Sequence, residues 1–121
     1  MKVLSIEQMT KLKELGVDVK PKGECLIYQI VMGIDILTIT DKFSNDDVAA
    51  FSLQDIVELL PHSIKDKSYI YNLSVDYYAN QFTIHYTYDY EPLIQFDNNS
   101  FLQAAYEMLI WVIENGYLKT K

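Results

Sequence analysis

From Tyr69 to Tyr90 the chain alternates. Tyr69, Tyr71, Leu73, Val75 and Tyr77 share one parity, and Ile70, Asn72, Ser74 and Asp76 the other. After a short interruption, Phe82, Ile84, Tyr86, Tyr88 and Tyr90 alternate with Thr83, His85, Thr87 and Asp89. Successive side chains of a strand point to opposite faces, so each run predicts a strand with one apolar and one wet face. Between the runs stands Tyr78-Ala79-Asn80-Gln81, whose asparagine tolerates the left-handed conformation of a tight turn. The two runs therefore predict an antiparallel hairpin. Seven of the ten tyrosines fall within it. On the apolar parity a tyrosine buries its ring and leaves its hydroxyl to reach a partner at the rim. Tyr78, at the turn and out of phase, is expected to be exposed.

The remaining elements follow from caps and periodicity. Ser5 and Gln8 form a capping box, Leu4 and Met9 take the hydrophobic-staple positions, and Gly16 supplies a left-handed stop. They predict a helix over 6–15. The run 25–32, CLIYQIVM, is apolar on both parities, which predicts a strand covered on both sides or by a partner chain. Gly33 is the natural turn into a second strand, 36–40, followed by a polar loop over 41–47. A helix is expected from Ser52 to Leu60, where Pro61 stops it, with Ile56, Val57, Leu59 and Leu60 as its buried stripe. Residues 62–67 read as a connection, and 93–96 as a short edge strand after Glu91-Pro92. The last helix, over 101–115 with Gly116 beyond it, is apolar over a wide arc, and Ile110 and Trp111 flank its narrow polar stripe. The order is αββαββ(β)α. It predicts one α+β domain over residues 1–121, an antiparallel sheet of four to five strands with three helices packed mainly on one face.

Charge narrows the partners. The chain holds ten lysines, no arginine and seventeen acids, a net charge of −7, and no lysine falls between Ser68 and Leu118. Nucleic-acid binding needs cations to neutralise phosphates, so neither nucleic acid nor an anionic membrane surface is an expected partner. No stretch approaches the ~20 apolar residues of a membrane span, and the amphipathic start lacks the apolar run of a secretory signal. One cysteine, Cys25, allows no intrachain disulfide and suits a reducing cytoplasm. Placed in an apolar strand, it is expected to be a buried, inert thiol.

No constellation in the sequence specifies chemistry. His85 and Asp89 share a strand face but stand roughly 13 Å apart along it, too far for a dyad, and Asp76 meets His85 only if the register allows. An ordinary solvated sheet face accounts for Asp76, Thr83, His85, Thr87 and Asp89. His62 suits a solvated place near a helix end. The oxygen-rich 41–47 segment lacks the calcium-loop spacing, and no glycine-rich phosphate loop is present. No cofactor or metal is expected.

The stretches IEQMTKLKELGVDV, FSLQDIVELLP and LQAAYEMLIWVIENGYL resemble a family of small bacterial proteins of unassigned activity, often encoded in prophage or other mobile-element neighbourhoods. The resemblance implies a compact accessory protein and brings no catalytic residues with it. The residues themselves favour a non-enzymatic protein-interaction module, self-associating as a homodimer or binding another protein. The candidate surface is Tyr77, Tyr78, Tyr90, Ile110 and Trp111. Alternatives are a small-ligand or carbohydrate pocket bordered by Tyr77, Tyr78 and Tyr90, and an acidic decoy that imitates DNA on a basic protein.

Overall fold

The computed structural model describes residues 2–21, 25–31, 34–40 and 47–118. The turn expected at Gly33, the loop over 41–46 and the surroundings of the Cys25 thiol lie outside the described residues. The described elements give an α+β fold with two antiparallel sheets, and the helices and strands follow the expected order. The described residues divide into two compact units, one up to Ser52 and one from Leu53 onward.

In the first unit, α1 (Ile6–Glu14) begins as its sequence dictates. The Gln8 amide donates to Ser5 Oγ at 3.2 Å, and the Ser5 amide donates to Gln8 Oε1 at 3.0 Å. Leu4 and Met9 are fully buried at the staple positions, and Leu12 joins them. The helix closes in a Schellman motif. Val17 N donates to Leu12 O and Gly16 N to Lys13 O, each at 3.0 Å, with Gly16 at φ 94°. β1 (Cys25–Val31) pairs antiparallel with β2 (Ile34–Thr40), in unbroken register from Cys25 opposite Thr40 to Val31 opposite Ile34. On its other side β1 pairs with β3 (Val48–Ala49), giving the order β2-β1-β3. Ile27 is the fully buried centre of β1. The Tyr28 hydroxyl donates to Leu4 O at 2.6 Å, and Leu4 N donates to Phe51 O at 2.9 Å.

The second unit holds α2 (Leu53–Leu59), β4 (Ser63–Asp66), β5 (Tyr69–Tyr78), β6 (Gln81–Tyr88), β7 (Glu91–Asn98) and α3 (Phe101–Glu114). Its strands lie in sequential order, β4-β5-β6-β7. The expected hairpin is β5–β6. Ala79 and Asn80 both take positive φ, 54° and 64°, as a two-residue hairpin turn of the mirror-image type requires. Residues 62–67, expected as a connection, instead contain β4, folded back on β5 through Lys67 at φ 56°. One buried side chain, Ile64, anchors it, and a single apolar residue leaves too little alternation to see in the sequence. β7 is longer than expected. Asp89 and Tyr90, at φ 48° and 67°, form the turn before it. Pro92 falls inside β7, where an edge strand tolerates it. The register slips between Tyr86 and Thr87, which face Ile94 and Pro92 and leave Leu93 over as a bulge.

α3 starts at Ser100, whose Oγ accepts from Gln103 N at 3.3 Å. It ends in a second Schellman motif through Gly116 (φ 77°), with Tyr117 N donating to Val112 O. It packs on β6 and β7 and against α2. A helix is about 10 Å across and strands stand about 4.8 Å apart, so one helix roofs about two strands. This corrects the expectation that the whole apolar parity is buried. Ile84 and Tyr86, under α3, are fully buried, whereas Tyr69, Val75, Tyr77 and Tyr88 are exposed. Val57, expected in the α2 stripe, is exposed as well. Ile56 and Leu60 take the buried side, and Val57 stands one helical step of about 100° from Ile56.

Tyr90 does not continue the apolar face of β6, as its parity suggested. It occupies the turn, is 98% exposed, and holds a left-handed conformation that costs a bulky residue about 1–2 kcal/mol. Glycine at this position relieves the strain and gives back part of the gain as chain entropy. Tyr90→Gly is therefore expected to stabilise the protein by about 0.5–1 kcal/mol in urea titrations. A loss of stability would mean that the ring makes contacts its exposure conceals.

Candidate functional site

Two surfaces stand open on the described residues. The first is the face of the four-stranded sheet opposite α3. With Ala79 and Asn80 as the turn, Ser74 falls opposite His85 and Asp76 opposite Thr83, so Asp76 is one diagonal step from His85. His85 Nε2 stands 2.9 Å from Asp76 Oδ2. On β7, Gln95 lies opposite His85 and Asp97 opposite Thr83. Thr83 Oγ1 donates to Asp97 Oδ1 at 2.7 Å, and Gln95 Nε2 donates to the same oxygen at 3.2 Å. The face is thus a hydrogen-bonded polar grid.

Its chemistry is limited. The Asp76 side chain is 70% exposed, so water screens its attraction for His85. The strand amides around the pair are committed to the β5–β6 and β6–β7 ladders and do not converge on a reacting oxygen. Among the described residues no group of three or more His, Cys, Asp or Glu side chains is arranged to hold a metal. His85 is only 14% exposed, but with its partner largely in water, removing a pair of this kind costs little. Asp76→Ala, His85→Ala and the double variant are expected to give a coupling energy below about 1 kcal/mol in a double-mutant cycle. A coupling of several kcal/mol would show that the pair is a structural anchor.

The tyrosines do not assemble one pocket. Tyr77 and Tyr78 end β5 at one turn, and Tyr90 stands in the turn at the far end of β6, roughly 27 Å away at strand rise. Tyr77 lies against Phe82 (ring centroids 4.5 Å apart), and Phe82 stacks on Phe101 at 5.1 Å. The Tyr77 hydroxyl donates to Asn80 Oδ1 at 3.2 Å. Tyr78, on the opposite parity, is 85% exposed. A separate cluster gathers Tyr69 and Tyr88, 4.8 Å between centroids, with Tyr71 edge-on to Tyr88. Ile110 and Trp111 are half-buried, and Trp111 stacks on Tyr117 at 5.4 Å. Of the whole of α3 only Glu114 is exposed, so the apolar arc that the sequence left unpartnered is largely covered. Burial raises the Tyr117 phenol above its ordinary value, with the Asp66 carboxylate 3.5 Å from its hydroxyl adding to the effect.

The second surface was missed from the sequence. β2 is an edge of the three-stranded sheet, and its aliphatic side chains are exposed on both faces: Ile34 (65%) and Ile36 on one, Leu37 and Ile39 (66%) on the other. No strand among the described residues pairs with its outer edge. The signal was present in the sequence: IDILTIT, 34–40, has aliphatics at both parities, as 25–32 does. Strand order decides which of the two is central, and local pattern does not encode that order.

No helix of the described residues is long and apolar enough to cross a membrane. No protein-family model, curated protein or solved structure matches the chain.

Proposed function

We propose that this protein is a non-enzymatic interaction module that docks a protein partner by strand addition at β2. The observation that carries the reading is the contrast among sheet edges. Natural proteins guard their edges with short strands, prolines, charges and bulges. Here β7 carries Pro92, a bulge, Glu91 and Asp97; β4 has four residues, among them Lys65 and Asp66; and β3 has two residues. β2 has seven residues, a single charge (Asp35), no proline, no lysine and no bulge, and it exposes four aliphatics. A long, mainly apolar edge with a single charge suits a partner, because added strands gain main-chain hydrogen bonds and bury alternate side chains.

A double Ile36→Thr, Ile39→Thr variant keeps β-branching and tests the reading. If these side chains serve a partner, the isolated fold loses less than about 1 kcal/mol. A loss of 3 kcal/mol or more, on the scale of core truncation, would place them in the protein's own packing and end the reading.

The Tyr69–Tyr88 pair favours a second reading, a small neutral or carbohydrate ligand lying against half-exposed rings. Thermal-shift screening against sugars tests it. Stabilisation abolished by Tyr69→Ala is the supporting result, and no shift with any sugar removes it.

A further inference from the structure

We infer that the partner at β2 is a second copy of this chain, joined by antiparallel β2–β2 pairing across a two-fold axis; the inference rests on the strand-addition reading above. A strand edge presents amide donors and carbonyl acceptors in a pattern that an antiparallel copy of itself satisfies, so the contact is self-complementary, as a two-fold interface requires. An axis at Leu37 pairs all seven residues of each β2. It sets Leu37 opposite its own copy, Ile36 opposite Thr38, and Ile34 opposite Thr40. Ile34, Ile36 and Leu37 then face threonine or leucine, cross-strand pairs that sheets favour, while Ile39 faces Asp35. The two three-stranded sheets become one six-stranded sheet, and the outer edge of β2 disappears.

Charge permits this contact. The whole chain nets −7, which opposes self-association, but the imbalance is uneven. Residues 1–52, which contain β2, hold six lysines against eight acids, whereas residues 53–119 hold three against nine. Within β2 the sole charged residue is Asp35, which the axis at Leu37 sets opposite Ile39 of the second copy and away from its own counterpart.

Sedimentation velocity on the wild-type protein, from micromolar to millimolar concentration, is expected to show a species of twice the 14.1 kDa chain mass. Leu37→Lys places two ammonium groups opposite each other across the axis and is expected to weaken dimerisation at least tenfold, with circular dichroism showing a retained fold. Should that variant fail to fold, hydrogen exchange on the wild type decides: the Ile34–Thr40 amides gain protection as concentration rises. A strict monomer throughout, a dimer indifferent to Leu37→Lys, or β2 exchange independent of concentration each overturns the inference. A strict monomer whose Ile36→Thr, Ile39→Thr variant remains stable leaves strand addition standing with a different protein. Collapse of that variant removes strand addition itself.

Discussion

Tyr86→Ala is expected to destabilise the protein by about 3–5 kcal/mol, whereas Tyr86→Phe costs about 1–2 kcal/mol. Tyr86 is the largest fully buried side chain among the described residues, on β6 beneath α3, between Leu73 of β5 and Ile94 of β7. Alanine there removes the ring and opens a cavity. Phenylalanine keeps the ring and loses one hydrogen bond, from the Tyr86 hydroxyl to Pro61 O at 2.8 Å, which leaves that carbonyl short of a partner. The gap between the two variants measures how much of the tyrosine's value is apolar. Urea denaturation followed by Trp111 fluorescence gives both numbers. Equal costs would mean that the hydroxyl, and not the ring, carries the site.

The same residue gives a pH dependence of fixed sign. Burial pushes the Tyr86 phenol well above its ordinary value of about 10. The folded state therefore favours the neutral phenol. Its contribution is fully present below pH about 10, and is lost as pH rises beyond the point where the unfolded chain ionises. Tyr86→Phe should flatten that alkaline decline. An unchanged decline would assign it to other tyrosines.

These tyrosines also mark what the sequence could tell. The β5–β6 hairpin was legible because its alternation is long and its turn holds Asn80. Both Schellman stops were legible from Gly16 and Gly116, and the α1 start from Ser5 and Gln8, because each depends on residues within one turn of helix. Tyr90 was misplaced because Asp89-Tyr90 carries no glycine to announce a left-handed turn, so alternation ran on through it. The depth of burial was misjudged at Tyr69, Val75 and Tyr77 of β5 because alternation names a face, while the width of one helix decides how much of that face is roofed. The Asp76–His85 contact followed from the register, which became fixed once the turn was known to have two residues. The separate three-stranded sheet, and with it the exposed edge of β2, was not legible. Its order depends on β1 pairing with Val48–Ala49, a two-residue contact across about twenty residues of chain.

Leu4→Ala is the test of the first unit, with an expected cost of about 2–5 kcal/mol. Leu4 is fully buried and precedes the Ser5 cap, so its side chain staples the entry of α1 against Met9. Its backbone ties two other segments, accepting from the Tyr28 hydroxyl of β1 and donating to Phe51 O after β3. Those main-chain bonds survive the substitution, so the loss reports the side chain alone. Ser5→Ala, which removes the cap and leaves the staple, should cost only about 1 kcal/mol. The ordering of the two variants is the informative result. If Ser5→Ala costs more than Leu4→Ala, hydrogen bonding at the helix start outweighs burial, and α1 is fixed by its cap. If Leu4→Ala dominates, α1 is held by packing. The capping box then selects where the helix begins, and the buried leucine supplies most of the free energy that keeps it there.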